Sequence, residues 1–185
     1  MLYLLRHAED DERYVGSWSD ASILEKEKER VRQQGIYIKN NLNITNIYSS
    51  DIKRAMETAE IVGDILNIKV KKDKNLREQN KGILTGKFKE TLNEEEHNLL
   101  ENQQIDTLFP KGETLQDLYN RIILYLDEMK KYEENSLVVT HRGVINAIYY
   151  YFNNIPLDMD KKKFDVGHLS IHELDIDNKL IRRIK

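Results

Sequence analysis

The order of apolar segments predicts a three-layer α/β/α sandwich: a mainly parallel mixed sheet between helices, with a C-terminal antiparallel hairpin. Three observations predict it. Short apolar runs of strand length alternate with longer stretches whose apolar residues recur at helical spacing, the pattern of a parallel sheet with crossover helices. The clearest run, SLVVT at 136–140, leads directly into a long apolar helix, GVINAIYYYF. At the end of the chain, HLSIHELDI and KLIRRIK flank Asp177-Asn178, a polar turn pair between two strands.

The elements follow in order. Residues 2–5 (LYLL) form a short buried strand. Residues 23–42 form a helix whose Leu24, Val31, Gly35, Ile38 and Leu42 share one face. NITNIY at 43–48 is a strand, and SSD then caps a helix carrying Ile52, Ala55, Met56, Ala59, Val62 and Leu66 as one stripe. IKVK at 68–71 is a short strand, and 88–105 is a polar helix. Thr114 opens a helix with Leu115, Leu118, Ile122, Leu126 and Met129 inward, and Asp117 stands where it closes a capping box. With two prolines, eight glycines, no linker-like stretch and no repeat, residues 1–185 read as one domain.

Composition narrows the function classes. The net charge is −3 with both signs interspersed, so neither a nucleic acid nor an anionic membrane is the expected partner. No apolar run approaches the roughly 20 residues that span a bilayer. Met1 leads straight into a strand, so no signal peptide and a cytoplasmic location are expected. Without cysteine there is no disulfide, thiolate metal site or cysteine nucleophile. No HExxH-like spacing occurs either, so no metal and no cofactor are expected. Composition fixes no oligomeric state.

The polar residues gather on this scaffold. Arg6 and His7 follow the first strand, SSDIKR places Arg54 in the first turn of a helix, and His141 follows SLVVT. Parallel strands share one carboxyl edge, where α/β sheets bind ligands. Two arginines, two histidines and nearby helix N-termini at that edge make a site for a multiply charged anion, most simply phosphate. Glu9 to Glu12 read as a solvated acidic run, His97 as a surface residue, and His168 and His172 as structural histidines alternating on one strand.

With these residues placed, the chain resembles the histidine phosphatase family, also called phosphoglycerate-mutase-like. RHAE at 6–9 matches its N-terminal triad. YSSDIKRAMETAEIV (48–62), LREQNKGILTGK (76–87), FPKGETLQDLYNRI (109–122) and LVVTHRGVINAI (137–148) follow in the family's order. The resemblance implies that His7 is the nucleophile, that Arg6, Arg54 and His141 bind the phosphoryl oxygens, and that Glu78 is the general acid. It implies a metal-independent phosphatase acting on a small phosphorylated metabolite through a phosphohistidine. Two alternatives stand: a 2,3-bisphosphoglycerate-dependent phosphoglycerate mutase, and an inactive phosphate-ligand or phosphoprotein-binding module. EQNKG at 78–82, in place of an ERHYG-like stretch, and short connecting segments favour the phosphatase. Departures from the pattern are Ala8, Asp10, Arg142, Lys81 where an aromatic is usual, and DDERYVGS where many members have a phosphate-contacting asparagine. Arg13 and Ser17 are the candidates to replace that asparagine.

Overall fold

The computed structural model describes residues 1–132 and 135–185. Its frame is a six-stranded sheet in the order β3-β2-β4-β1-β5-β6. The strands are β1 (Leu2–Arg6), β2 (Asn46–Ser49), β3 (Val70–Lys72), β4 (Ser136–Thr140), β5 (Ile171–Asp175) and β6 (Leu180–Arg183). The first four are mutually parallel, and β5 and β6 are antiparallel to their neighbours, as the sequence pattern predicts.

Side chains alternate across a strand, and this sorts the core into two layers. Leu4 and Val138 face α4 (Leu115–Met129) and α5 (Arg142–Phe152), packing with Leu118, Ile122, Val144 and Ile148. Leu5, Leu137 and Val139 face the other way, onto Val31 and Ile38 of α1 (Glu27–Asn41) and Ala55, Ala59 and Val62 of α2 (Lys53–Leu66). Leucine and valine can fill both faces because β1 and β4 are central and covered twice. A third, smaller cluster of Val15, Leu84, Leu92 and Phe109 lies under the loops.

The strands expected at 43–48 and 68–71 are the shorter β2 and β3, and three helical features differ from expectation, each for a local reason. The α1 helix begins at Glu27 rather than at 23, because Ile23 is extended, bridging Asp10 and donating its N–H to Glu57 Oε2 at 2.8 Å. The 88–105 stretch is a 3₁₀ turn at Lys89–Thr91 followed by the short helix α3 (Glu94–Glu101). An Asn93–Glu96 capping box sets where that helix starts, after Leu92 has turned into the third cluster. The SSD segment does not cap α2: Ile52 is its extended N-terminal residue, and no side chain caps it. The predicted Thr114–Asp117 capping box is present, with Asp117 N–H donating to Thr114 Oγ1 at 2.9 Å and Thr114 N–H to Asp117 Oδ2 at 3.0 Å. Among the described residues, no helix is long and apolar enough to cross a membrane.

Candidate active site

Parallel pairing puts the carboxyl ends of β1, β2 and β4 side by side, with Arg6 opposite Thr140 and Ser49 opposite Val139. The alignment continues past the strands: His7 N–H donates to Thr140 O at 3.0 Å and Ser50 N–H to Val139 O at 2.9 Å. A cleft of about 350 Å³ opens at this edge, with Arg6, His7, Arg54 and Glu78 on its wall.

The His7 ring has a defined tautomer. Its Nδ1 lies 2.6 Å from the Ala8 carbonyl oxygen, which can only accept, so Nδ1 holds the proton. The lone pair is therefore on Nε2, where Arg54 Nε donates at 3.2 Å. Burial, reinforced by Arg54, His141 and Arg6, holds His7 well below the ordinary histidine pKa, so the imidazole is neutral. One hydroxyl joins the histidine and arginine segments: Thr58 Oγ1 accepts from Ala8 N–H at 3.1 Å and donates to Arg54 O at 2.8 Å.

The two arginines are oriented by their surroundings. Arg54 is buried and donates from Nη2 to Ser17 O at 2.7 Å and from Nη1 to Ser19 Oγ at 3.4 Å. Arg6 donates from Nη1 to Val166 O at 2.9 Å and from Nη2 to His168 Nε2 at 2.6 Å. Burial, with Arg142 adding to it, pulls Arg6 down to about 10, still fully cationic at neutral pH.

His141 sits one layer behind the cleft wall. It is fully buried, with its ring centroid 5.0 Å from that of His7. Its Nε2 pairs with Ser50 Oγ at 2.8 Å, while its Nδ1 has no partner among the described residues. Arg6 Nε is also buried without a partner among them. Buried polar atoms are nearly always satisfied, so these two atoms near His7 are open to a further polar partner.

Glu78 is held by backbone on both oxygens: Gln79 N–H donates to Oε1 at 2.9 Å and Gly143 N–H to Oε2 at 3.0 Å. The second contact requires glycine, because a Cβ at 143 would stand 2.1 Å from Glu78 Oε1. Arg121 anchors the same loop from α4, donating to Arg77 O at 2.7 Å, to Glu78 O at 3.0 Å and to Glu113.

The structure thus brings Arg6, His7, Arg54, Glu78 and His141 together, decides between the two candidates Arg13 and Ser17, and adds two residues, Asp10 and His168. Asp10 is buried beside Arg54 at 3.6 Å and not part of a solvated run; burial raises its pKa against the pull of Arg54. His168 precedes β5 instead of lying on it, lines the cleft, and accepts from Arg6. Burial and Arg6 push it down to about 3, so it too is neutral. Ser17 stands beside Arg54 where the usual asparagine was sought, in a left-handed conformation (φ 53°) that turns its carbonyl to the guanidinium. Arg13 plays no such part, being exposed and paired with Asp11 at 2.5 Å. The apolar–polar pattern held no signal for Asp10 or His168, since long-range packing alone turns them inward. The ligand atoms of His7, Asp10 and His168 lie within 4.8 Å of one another, a spacing open to a metal ion. The fit is poor: Nε2 of each histidine already accepts a guanidinium N–H, and two arginines surround the cluster.

A three-layer α/β fold with paired arginines and neutral histidines at its strand ends defines a phosphate-handling protein. The profile of the histidine phosphatase superfamily (branch 1) matches residues 2–184, and the chain belongs to that family. It is 29% identical to the probable phosphoglycerate mutase GpmB of Escherichia coli, over 97% of this chain and 86% of that one. Among solved structures it is similar to Bacillus stearothermophilus YhfR (27% identical, TM-score 0.76, covering 94% of this chain and 91% of that one). A mycobacterial glucosyl-3-phosphoglycerate phosphatase shares the fold at 21% identity and a TM-score of 0.73, covering 99% and 96%.

Proposed function

We propose that this protein is a metal-independent phosphatase that hydrolyses small organic phosphate monoesters through a phosphohistidine at His7. The supporting observation is the His7 tautomer: Nδ1–H is tied to a carbonyl, which leaves the lone pair on Nε2, beside the Arg54 guanidinium. In the first step Nε2 attacks phosphorus in line, an N–P bond forms, and the P–O bond to the leaving group breaks. The alkoxide takes a proton from the Glu78 carboxyl. Arg6, Arg54 and His141 stabilise the charge on the equatorial oxygens, and the Ala8 carbonyl stabilises the imidazolium that bears the phosphoryl group. In the second step the Glu78 carboxylate takes a proton from water, the water oxygen attacks phosphorus, and the N–P bond breaks to release inorganic phosphate. Metal independence is supported by the two arginine cations that already stand beside these histidines.

The test is phosphate release from p-nitrophenyl phosphate in excess EDTA, with the phosphoryl group trapped by quenching in alkaline denaturant. The expected result is turnover under chelation and a phosphorylated peptide containing His7, absent in His7→Ala, whose activity falls below about one per cent of wild type. Turnover that needs a divalent ion, or that survives His7→Ala, overturns the proposal. The name of the Escherichia coli relative favours a second reading, phosphoryl transfer between phosphoglycerate positions. Conversion of 3-phosphoglycerate to 2-phosphoglycerate faster than phosphate release selects it.

A further inference from the structure

The outer half of the cleft holds a cation that phosphate transfer at His7 does not use. Lys81 follows Glu78 by three residues in the loop between β3 and α3. Its backbone is pinned: the Lys81 N–H donates to Ser17 Oγ at 2.7 Å, and Gly82 follows with φ 52°. A Cβ at 82 would stand 1.9 Å from Pro110 O, so the turn lies directly against the 109–112 segment. The direction of the Lys81 side chain is thereby set, toward the cleft that it lines. Its Nζ rests 5.3 Å from the centroid of the fully buried Phe109 ring and makes no hydrogen bond or ion pair among the described residues.

Its charged surroundings leave it without a counterion. Lys161, from the segment before β5, and Lys89, from the turn after Gly86, face it and add to the positive charge. Glu78 is the acid that acts on it, and both Glu78 oxygens already accept backbone N–H groups. Asp158 is engaged by Lys163 and the Tyr150 hydroxyl, and Asp160 accepts from Lys162 N–H at 2.9 Å. Asp10 and Glu12 act on Arg6, as does Arg142 across the cleft. Leu115, Leu118 and Tyr119 of α4 and Ala147 of α5 give the cleft an apolar part of its wall. An unpaired ammonium beside an apolar wall is poorly hydrated and attracts an anion more strongly than an exposed lysine does.

We propose that Lys81 is a specificity-determining residue: it selects phosphate monoesters whose leaving group bears a second anionic group, which it binds while the first phosphate occupies the His7 end. The proposal rests on the assignment of that end as the phosphate site. It also has a pH dependence, because burial, with Lys161 and Lys89 adding, brings the Lys81 ammonium down to about 8. Selection is full at pH 7 and declines as pH rises through that value.

The experiment measures competition against p-nitrophenyl phosphate by two matched pairs. Glycerol 3-phosphate and 3-phosphoglycerate differ by a carboxylate; 3-hydroxypropyl phosphate and propane-1,3-diyl bisphosphate differ by a phosphate. Competition reads binding whether or not the competitor is hydrolysed, and each affinity ratio is internal to one variant. The wild type at pH 7 is expected to favour the doubly anionic member of at least one pair by about tenfold or more. The pair that shows the ratio identifies the anion. Lys81→Met brings it to within about threefold of unity, and Lys81→Arg preserves it. At pH 9.5 the wild-type ratio falls toward unity while that of Lys81→Arg persists. No preference in the wild type, or a preference unchanged in a Lys81→Met protein whose thermal unfolding matches wild type, overturns the proposal. Absence of p-nitrophenyl phosphate turnover instead overturns the phosphatase assignment, and calorimetric titration of the same four compounds then reads the ratios.

Discussion

The two halves of the cleft are built differently. The inner half is made of strand ends: Arg6 and His7 continue β1, Ser50 continues β2 and His141 follows β4, with Arg6, His7 and Ser50 fixed by hydrogen bonds that continue the ladder. The outer half is made of loops, where Ser17 and Lys81 are held by a few side-chain contacts beside a small separate core. A strand end offers one position and one direction for a side chain, whereas a loop can be rebuilt without disturbing the sheet. On the proposed reading, chemistry that needs a rigid constellation falls on the inner half, and choice of leaving group falls on the outer. Substitutions should divide the same way, with inner changes altering turnover of every substrate and outer changes altering the ratio between substrates.

The largest effect expected after loss of His7 itself is that of Arg54→Ala. This guanidinium touches His7, Ser17 and Ser19 together, so its loss removes charge from the phosphoryl site and also frees the His7 ring. Loss of one preorganised donor to a transition-state oxyanion costs about 3–4 kcal/mol, roughly a hundredfold to a thousandfold in kcat. Vanadate inhibition should weaken alongside, and by similar factors for all substrates. Unchanged vanadate inhibition would remove Arg54 from the phosphoryl site. A loss confined to some leaving groups would break the division between the halves.

Glu78 stands at the boundary, and its effect should be intermediate and dependent on the leaving group. An alkoxide requires a proton, whereas p-nitrophenolate leaves without one. Rapid-quench measurement of phosphohistidine formation should show Glu78→Gln slowed on the order of a hundredfold with an alkyl phosphate but under about tenfold with p-nitrophenyl phosphate. Gly143→Ala should reproduce this selectivity in weaker form, since its new methyl group would displace the carboxylate without removing it. Equal losses for both leaving groups would reassign Glu78 to positioning.

How far the sequence foretold this site follows the same division. Arg6, His7, Arg54 and His141 were legible because each adjoins an apolar run or stripe, so that periodicity alone places them at one sheet edge. The mainly parallel sheet and the terminal hairpin were legible on the same ground, whereas the order of the strands was not. Asp10 and His168 were not, because they lie in connecting segments and face inward only through contacts with Arg54 and Arg6, distant in sequence; Ser17 was named, but only as one of two candidates with Arg13. The start of α1 was misplaced for a similar reason, since Glu57, more than thirty residues away, holds Ile23 extended. Lys81 stood out as a departure from an aromatic position, but its cleft-facing, unpaired state depends on Ser17 and Phe109.

The smallest effect concerns stability, and it separates the histidines of the inner half from one with no part in the chemistry. His172 on β5 is fully buried, pairing from Nδ1 with the Tyr149 hydroxyl at 2.9 Å and from Nε2 with Ser170 Oγ at 2.8 Å. Ser170 gives its hydroxyl hydrogen to Gly167 O, so Nε2 is the donor, Nδ1 the acceptor, and the ring neutral. Burial, with Arg183 adding to it, brings its pKa down to about 4 from the usual 6.5. Between these values the unfolded chain binds a proton that the folded chain refuses, so stability is full above pH 6.5 and is lost as pH falls. One such group contributes a slope of up to about 1.4 kcal/mol per pH unit. His7, His141 and His168 share the same direction, so urea unfolding of the wild type should weaken steeply from pH 6.5 to 5. His172→Gln keeps an amide donor and acceptor at the site and should remove about one proton from that slope, leaving kcat/KM near wild type at pH 7. An unchanged slope would mean that His172 titrates normally in the folded protein. A large loss of turnover at pH 7 would show that β5 supports the strand-end site more directly than its distance from the phosphoryl position implies.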